Sequence, residues 1–391
     1  MVSVLYTAFD VFPSPKGSST HITYFTGGLI EAGYQVSILT PARPGLPAEE
    51  EHHGARLVRL PVSEDPNYLM RALEFADAVM HWVEHNPEIN IAHFRSAWDG
   101  FYLAQAKDRF GYRTVFEVNG LPSIELKYHY PGLEDQPVLA KIKAQEQAAL
   151  AAADAIVCVS GVTRDYLASL GARPEKITVI PNGVDVDLFA PQPQSAGQGS
   201  SPTLVYIGTL ADWQGLGVLI EAMQLVLARH EARLRIVGPG RSHERKEMRR
   251  RIRKMGLEEV ISVEEALPYA EIPALLAQAD MCIAPLTFND RNVIQGCCPI
   301  KVIEYMACGR PLVASNLPVV RELVREGLDG LLCTPGDPAS LARCILQLLE
   351  EPALGARLAQ AAAERARDRF SWRRAQQRLL EVYAGLRPVN S

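Results

Sequence analysis

Short, almost uninterrupted apolar runs alternate with longer amphipathic ones along the whole chain, and this alternation restricts the fold more than any other feature. In the first half the runs are VSVLYTAF, QVSILT, RLVRL, INIAHF, TVFEV, AIVCVS and ITVIP, separated by helical patterns such as YLMRALEFADAVMHWVEH. Strands that are apolar on both sides belong in a parallel sheet covered by helices on each face. The stretch APQPQSAGQGSSP, residues 190–202, breaks the pattern with a linker's composition. TLVYIG, LRIVG, VISV, MCIAPL, PLVAS and GLLC then restart it, and helical stretches close the chain from Pro338 to about Leu386. The expected class is therefore α/β, with two doubly wound, Rossmann-like units in succession and ligands beyond the carboxyl ends of their strands, in a cleft between the sheets. A length of 391 residues agrees with two units, since a domain takes roughly 150.

Charge and cysteine usage remove several function classes. With 40 basic and 45 acidic side chains the net charge is −5, so no overall attraction for nucleic acid exists. The opening MVSVLYTAFDVF has no basic lead and carries Asp10 within its apolar stretch, so it reads as a first strand and not as a signal peptide. No apolar run approaches the roughly 18 residues of a membrane span. Seven cysteines, at 158, 282, 297, 298, 308, 333 and 344, fit neither a disulfide framework nor a CxxC metal site; free thiols and a cytoplasmic location are expected.

Three stretches carry chemical signals. In PSPKGSSTH, Gly17 and Ser18 precede a helix whose amides could approach an anion, although many strand-to-helix turns look alike. Neither GxGxxG nor GxxxxGK[ST] is present, which leaves dinucleotide oxidoreductases and P-loop nucleotidases unsupported. From Pro299 to Pro311, proline opens a helix of about two and a half turns and Gly309 closes it. Lys301 and Glu304 then share one face near the positive helix end, either as a surface ion pair or as ligands of a diphosphate and a ribose. In RSHERKEMRRRIRKMG, residues 241–256, eight basic residues face two glutamates; a solvated surface is the first reading and attachment to anionic lipid the second.

The order of VCVS, KITVIPNGVDVDLFAP, VYIGTL, RIVGPG, IEYMACGRPLVAS, EGLDGLLCTPGD and FSW resembles the family-four retaining glycosyltransferases of the GT-B fold. The resemblance implies an acceptor-side domain at 1–190, a linker at 191–202, a nucleotide-sugar domain at 203–370, and a last helix, 371–391, that returns to the first domain. It implies transfer of a sugar from a nucleotide diphosphate sugar to a hydroxyl of a glycan, lipid-linked or small-molecule acceptor, without metal or prosthetic group, UDP being preferred over GDP or ADP. Asp185 and Asp187 spell DxD, but in the family's interdomain segment, where no cation is expected. Peripheral membrane association is a further expectation, nucleic acid binding is not, and the alternatives are an impaired binding protein of this fold or a sugar-nucleotide 2-epimerase.

The same resemblance assigns residues. Gly17, Ser18, Gly208, Thr209, Gln214, Gly240, Arg291, Gly296, Cys297, Cys298, Pro299, Ile300, Lys301 and Glu304 are donor-side candidates. The family's diphosphate-gripping Arg and Lys are replaced here by Thr209 and Gln214, which makes Lys301 the best substitute cation, with Arg291 and Arg241 behind it. The first glutamate of the family's E-x7-E pattern is replaced by Gly296, and its sugar-contacting histidine by Asn119, which cannot act as a base near neutrality. Asn119, Lys301 and Glu304 are the catalytic candidates; His93, Arg95, Glu117 and Glu125, from strand-end loops, are the acceptor candidates.

Overall fold

A computed structural model describes residues 2–14, 16–65, 67–130, 132, 137–192 and 201–386; of the expected linker, residues 193–200 lie outside these. The chain divides into two compact units, one of Met1–Pro181, Ile294–Cys297 and Trp372–Ser391, the other of Asn182–Val293 and Cys298–Ser371.

The first unit holds an eight-stranded sheet of β1 (Ser3–Thr7), β2 (Gln35–Pro41), β3 (Glu49–His52), β4 (Ala55–Leu60), β5 (Ile91–Phe94), β6 (Arg113–Val118), β7 (Ala155–Cys158) and β8 (Ile177–Val179), in the order β3-β4-β2-β1-β5-β6-β7-β8. Seven of these follow the apolar runs and pair in parallel. The eighth, β3, is the polar EEEH, antiparallel to β4. It escapes an apolar-run reading because it sits at the sheet edge, where its partners are polar: Glu49 holds Arg56 at 2.6 Å, and Glu50 pairs with Arg59. Leu5, Phe75, Phe94, Phe116 and Ile156 fill the core with no exposure.

The helix Trp372–Gly385 packs with this first unit, as the resemblance implies. Trp372 stacks on Tyr24 at 4.9 Å, and Gln376 donates to the Tyr24 carbonyl at 2.7 Å. An exposed amphipathic helix gains most of its stability from such packing, so burial of Trp372, Leu379 and Tyr383 holds it in place.

The second unit has a six-stranded, all-parallel sheet: β9 (Thr203–Ile207), β10 (Arg233–Val237), β11 (Ile261–Glu264), β12 (Met281–Ala284), β13 (Leu312–Ser315) and β14 (Leu331–Cys333), ordered β11-β10-β9-β12-β13-β14. All six match the apolar runs. The order reverses at β9, and the crevice beyond the carboxyl ends at such a point is where open α/β sheets take ligands. Residues 182–190 pack in this unit: the Val184 amide donates to the Phe370 carbonyl at 2.7 Å, and Phe189 lies against Tyr269. All seven cysteines are free thiols.

Candidate functional site

In the second unit, a lysine has been drawn back against the sheet end. The helix Ile300–Ala307 starts at Pro299 and ends at Cys308, with Gly309 in the left-handed region at φ +61°. Lys301, in its first turn, reaches across to the end of β9, where its Nζ donates to the Tyr206 hydroxyl at 2.9 Å and to Gln214 Oε1 at 2.6 Å. The Tyr206 hydroxyl in turn donates to the Thr209 carbonyl at 2.7 Å, and Gln214 donates to Thr209 Oγ1 at 3.4 Å. Gly208 permits this approach. It has φ +145°, and a Cβ there would stand 2.5 Å from the Lys301 amine. Thr209 and Gln214 thus do not leave a gap where cations are missing; they and Tyr206 position a different cation.

One turn on, Glu304 is 5% exposed, and its carboxylate has no hydrogen bond among the described residues. Burial pushes its pKa up to about 7, against the pull of Lys301. The pair is therefore no surface ion pair. A largely buried ionisable carboxyl without a protein donor is a prepared acceptor for a ligand's hydroxyl groups. The floor is stiff: the Tyr305 hydroxyl accepts from the Ile207 amide at 2.7 Å, tying the helix to β9.

The neighbouring loop after β10 is held by a residue the sequence reading passed over. Arg245, in the basic helix Ser242–Lys254, is buried and donates to the Gly238 carbonyl at 2.6 Å and the Glu264 carbonyl at 3.0 Å. Gly240 follows and is covered by Leu210. Met248 and Ile252 bury the same face in the core, and the other basic residues are exposed, with Arg250, Arg251 and Arg253 paired to Glu247, Glu221 and Glu258. Arg291 lies beside the Trp213 ring, 5.6 Å from its centre, next to Gln214 in sequence. Cys298 gives its carbonyl to Asn182 at 2.7 Å.

Gly296 and Cys297 belong to the first unit instead. Gly296 has φ +81°, and a Cβ would meet the Thr163 amide at 2.7 Å and Ser160 Oγ at 2.8 Å, at the start of the helix Gly161–Ser169. No side chain fits there, so the missing carboxylate is a consequence of close backbone packing. Gln295, fully buried, accepts from the Leu121 amide at 2.7 Å and donates to Glu125 at 3.1 Å. Glu125 is thereby fixed against Gly120, whereas His93 and Arg95 bond to Glu117. Gly17 and Ser18 open the helix Gly17–Glu31 of this unit.

His93, Arg95, Glu117 and Asn119 gather around one carboxylate. Glu117, unexposed, accepts from Tyr6 at 2.6 Å and His93 Nε2 at 3.1 Å on one oxygen, and from Arg95 Nε at 2.7 Å and Asn119 on the other, with His21 Nε2 at 3.0 Å. Burial alone would raise its pKa, but His21, Arg95 and the hydrogen bonds from both histidines outweigh that and hold it well below the usual carboxylate range. Burial lowers the pKa of His93. Its Nδ1 lies 2.8 Å from the Tyr383 hydroxyl of the last helix. A neutral ring that donates from Nε2 to Glu117 and accepts at Nδ1 from Tyr383 satisfies all three groups. His21, Tyr6 and Tyr383 were not legible in advance: each sits inside an ordinary helix or strand pattern, and only chain topology brings them to the hub.

The DxD segment is a turn. Asp185 Oδ1 accepts from the Asp187 amide at 3.1 Å and the Leu188 amide at 2.9 Å. Among the described residues no group of three His, Cys, Asp or Glu could hold a metal ion, and no helix is long and apolar enough to cross a membrane.

Comparison with known proteins finds similarity over nearly the whole chain. The profile of the group 1 glycosyl transferases matches residues 201–351, and that of glycosyltransferase family 4 matches residues 15–188. D-inositol 3-phosphate glycosyltransferase of Thermobispora bispora is 25% identical over 94% of this chain and 89% of its own. Among solved structures, sucrose-phosphate synthase of Thermosynechococcus elongatus superposes with a TM-score of 0.85 at 20% identity, covering 98% of this chain and 99% of that one. HepE of Anabaena, solved with UDP and glucose, superposes with a TM-score of 0.79 at 20% identity, over 99% and 100%.

Proposed function

The chain belongs to the group 1, family 4 glycosyltransferases, and from that premise we propose that it transfers a sugar, with retention, from a nucleotide diphosphate sugar to an acceptor hydroxyl, the second unit holding the donor and the first the acceptor. The observation that carries the donor assignment is the Lys301 amine, seated over Gly208 by Tyr206 and Gln214 at the carboxyl end of β9. A fixed ammonium there stabilises the negative charge that collects on the diphosphate as the glycosidic bond breaks. Glu304, largely buried and without a donor of its own, takes the ribose hydroxyls. Gly208, Thr209, Gly240 and the start of the helix at Pro299 and Ile300 line the same strand ends, and Arg291 adds charge beside Trp213.

In front-face substitution the departing phosphate oxygen takes the acceptor's proton, so no side-chain base is required and Asn119 serves by hydrogen bonding. Its amide nitrogen is spent on Glu117, which leaves its oxygen as the group that would accept from an incoming hydroxyl. UDP is the proposed base carrier, supported by the UDP-bound HepE structure. The acceptor is a polyhydroxylated molecule, free or lipid-linked. The inositol phosphate named for the Thermobispora relative supports that class.

The test is product formation across UDP-, GDP- and ADP-sugars with sugar and polyol acceptors, with Glu304→Ala as control. A new glycoside that vanishes in the control establishes the activity. Donor binding without turnover would make the chain a binding protein, and an isomerised sugar returned without glycoside would make it an epimerase.

A further inference from the structure

We propose that Arg95 is a receptor for a phosphate group on the acceptor, so that the first unit selects phosphorylated hydroxyl compounds. This rests on the acceptor assignment above and adds the substrate's charge. Arg95 follows β5 directly, in the middle of the eight-stranded sheet, between the ends of β1 and β6. Its side chain is 9% exposed. Only Nε is spent inside the protein, on Glu117. The two terminal nitrogens have no partner among the described residues, and both reach solvent.

Four further donors already converge on Glu117: Tyr6, His21, His93 and Asn119. The carboxylate therefore has no need of the guanidinium's outer edge and acts as a clamp on its inner one. Glu117 and Tyr6 preserve the positive charge in spite of burial, with a weaker contribution from Asp10. The result is a planar fork of donors, immobilised and pointing outward at the end of a parallel strand. A fork of this kind matches two oxygens of one phosphate. A neutral sugar hydroxyl also accepts from a guanidinium, but through a single uncharged oxygen, so its contact is weaker than the charge-assisted, two-oxygen contact of a phosphate. The next element strengthens the preference: Ser96 caps the 14-residue helix Ala97–Phe110, whose positive end lies beside Arg95.

The experiment is calorimetric titration of the full chain with inorganic phosphate at constant ionic strength, then with glucose 6-phosphate and glucose. Arg95→Gln is expected to weaken one saturable phosphate site at least tenfold, while Lys301→Ala retains that site. Glucose 6-phosphate should compete for it and glucose should not. Removing the guanidinium exposes Glu117 to an unbalanced buried charge, so Arg95→Lys accompanies it; that variant keeps the charge but loses the fork, and a loss of threefold or more is expected. Equal phosphate affinity in folded Arg95→Gln or Arg95→Lys, absence of saturable phosphate binding in the wild type, or free phosphate binding without competition from the ester would each overturn the proposal. Donor binding measured separately with UDP-glucose, and its loss in Lys301→Ala, reports on the donor reading and is independent of these outcomes.

Discussion

Replacing Lys301 by methionine removes one positive charge from the carboxyl end of β9 while keeping an unbranched side chain of similar length. The Tyr206 hydroxyl keeps its acceptor, the Thr209 carbonyl, and Gln214 keeps its contact with Thr209 Oγ1, while half-buried Gln214 Oε1 loses a donor and the Tyr206 ring loses the ammonium 4.1 Å from its centre. Stability should therefore change by no more than about 1 kcal/mol. The donor loses a charge-assisted contact with its diphosphate, of roughly 1.5–3 kcal/mol. At about 1.4 kcal/mol per decade, Kd for a nucleotide diphosphate sugar should rise by roughly 10- to 150-fold. Calorimetric titration of wild type and Lys301→Met with UDP-, GDP- and ADP-sugars measures it directly, and thermal unfolding confirms the fold. The binding difference should shrink as salt is raised, because part of it is screened. A folded variant with an unchanged Kd would mean that the lysine merely braces the Tyr206 loop, and the donor assignment would fail with it.

Three further outcomes follow from the same geometry. Since Glu304 titrates at about 7 and its carboxylate is the form that accepts from ribose, donor affinity should rise between about pH 6 and pH 8, and Glu304→Gln should flatten that profile. In the free protein the sign is opposite: a raised pKa contributes stability below about pH 4.5 that is lost as pH climbs through about 7, so Glu304→Gln should unfold later than wild type at pH 8, by about 1–3 kcal/mol, and no later at pH 4. Restoring the family's carboxylate with Gly296→Glu should not improve activity but destabilise by about 2–4 kcal/mol, visible as a lower thermal midpoint, because both φ and the Thr163 amide forbid a side chain. Tyr383→Phe should leave His93 Nδ1 buried without a donor and cost about 1–3 kcal/mol in denaturant titration; a change below about 0.5 kcal/mol would contradict the relay from the last helix to Glu117.

What the linear order of residues determined about this protein is whatever depends on periodicity and local backbone chemistry. Near-continuous apolar strands dictated two parallel sheets, proline and glycine bounded the helix that carries Lys301 and Glu304, and the run of short motifs identified the family. β3 escaped because an edge strand can be polar, and no hydrophobic period marks it. Tertiary structure alone decided what the site's groups are. Lys301 sits at the end of β9 because the glycine there leaves room for its amine and because Tyr206 and Gln214 accept from it. Gly296 became a packing necessity at a helix start. Glu117 became the centre of a polar hub fed from β1, the first helix, β5 and a tyrosine 290 residues beyond His93. Protonation state, donor supply and steric room are set by neighbours through space, and neighbours of this kind leave no trace at any fixed interval along the chain.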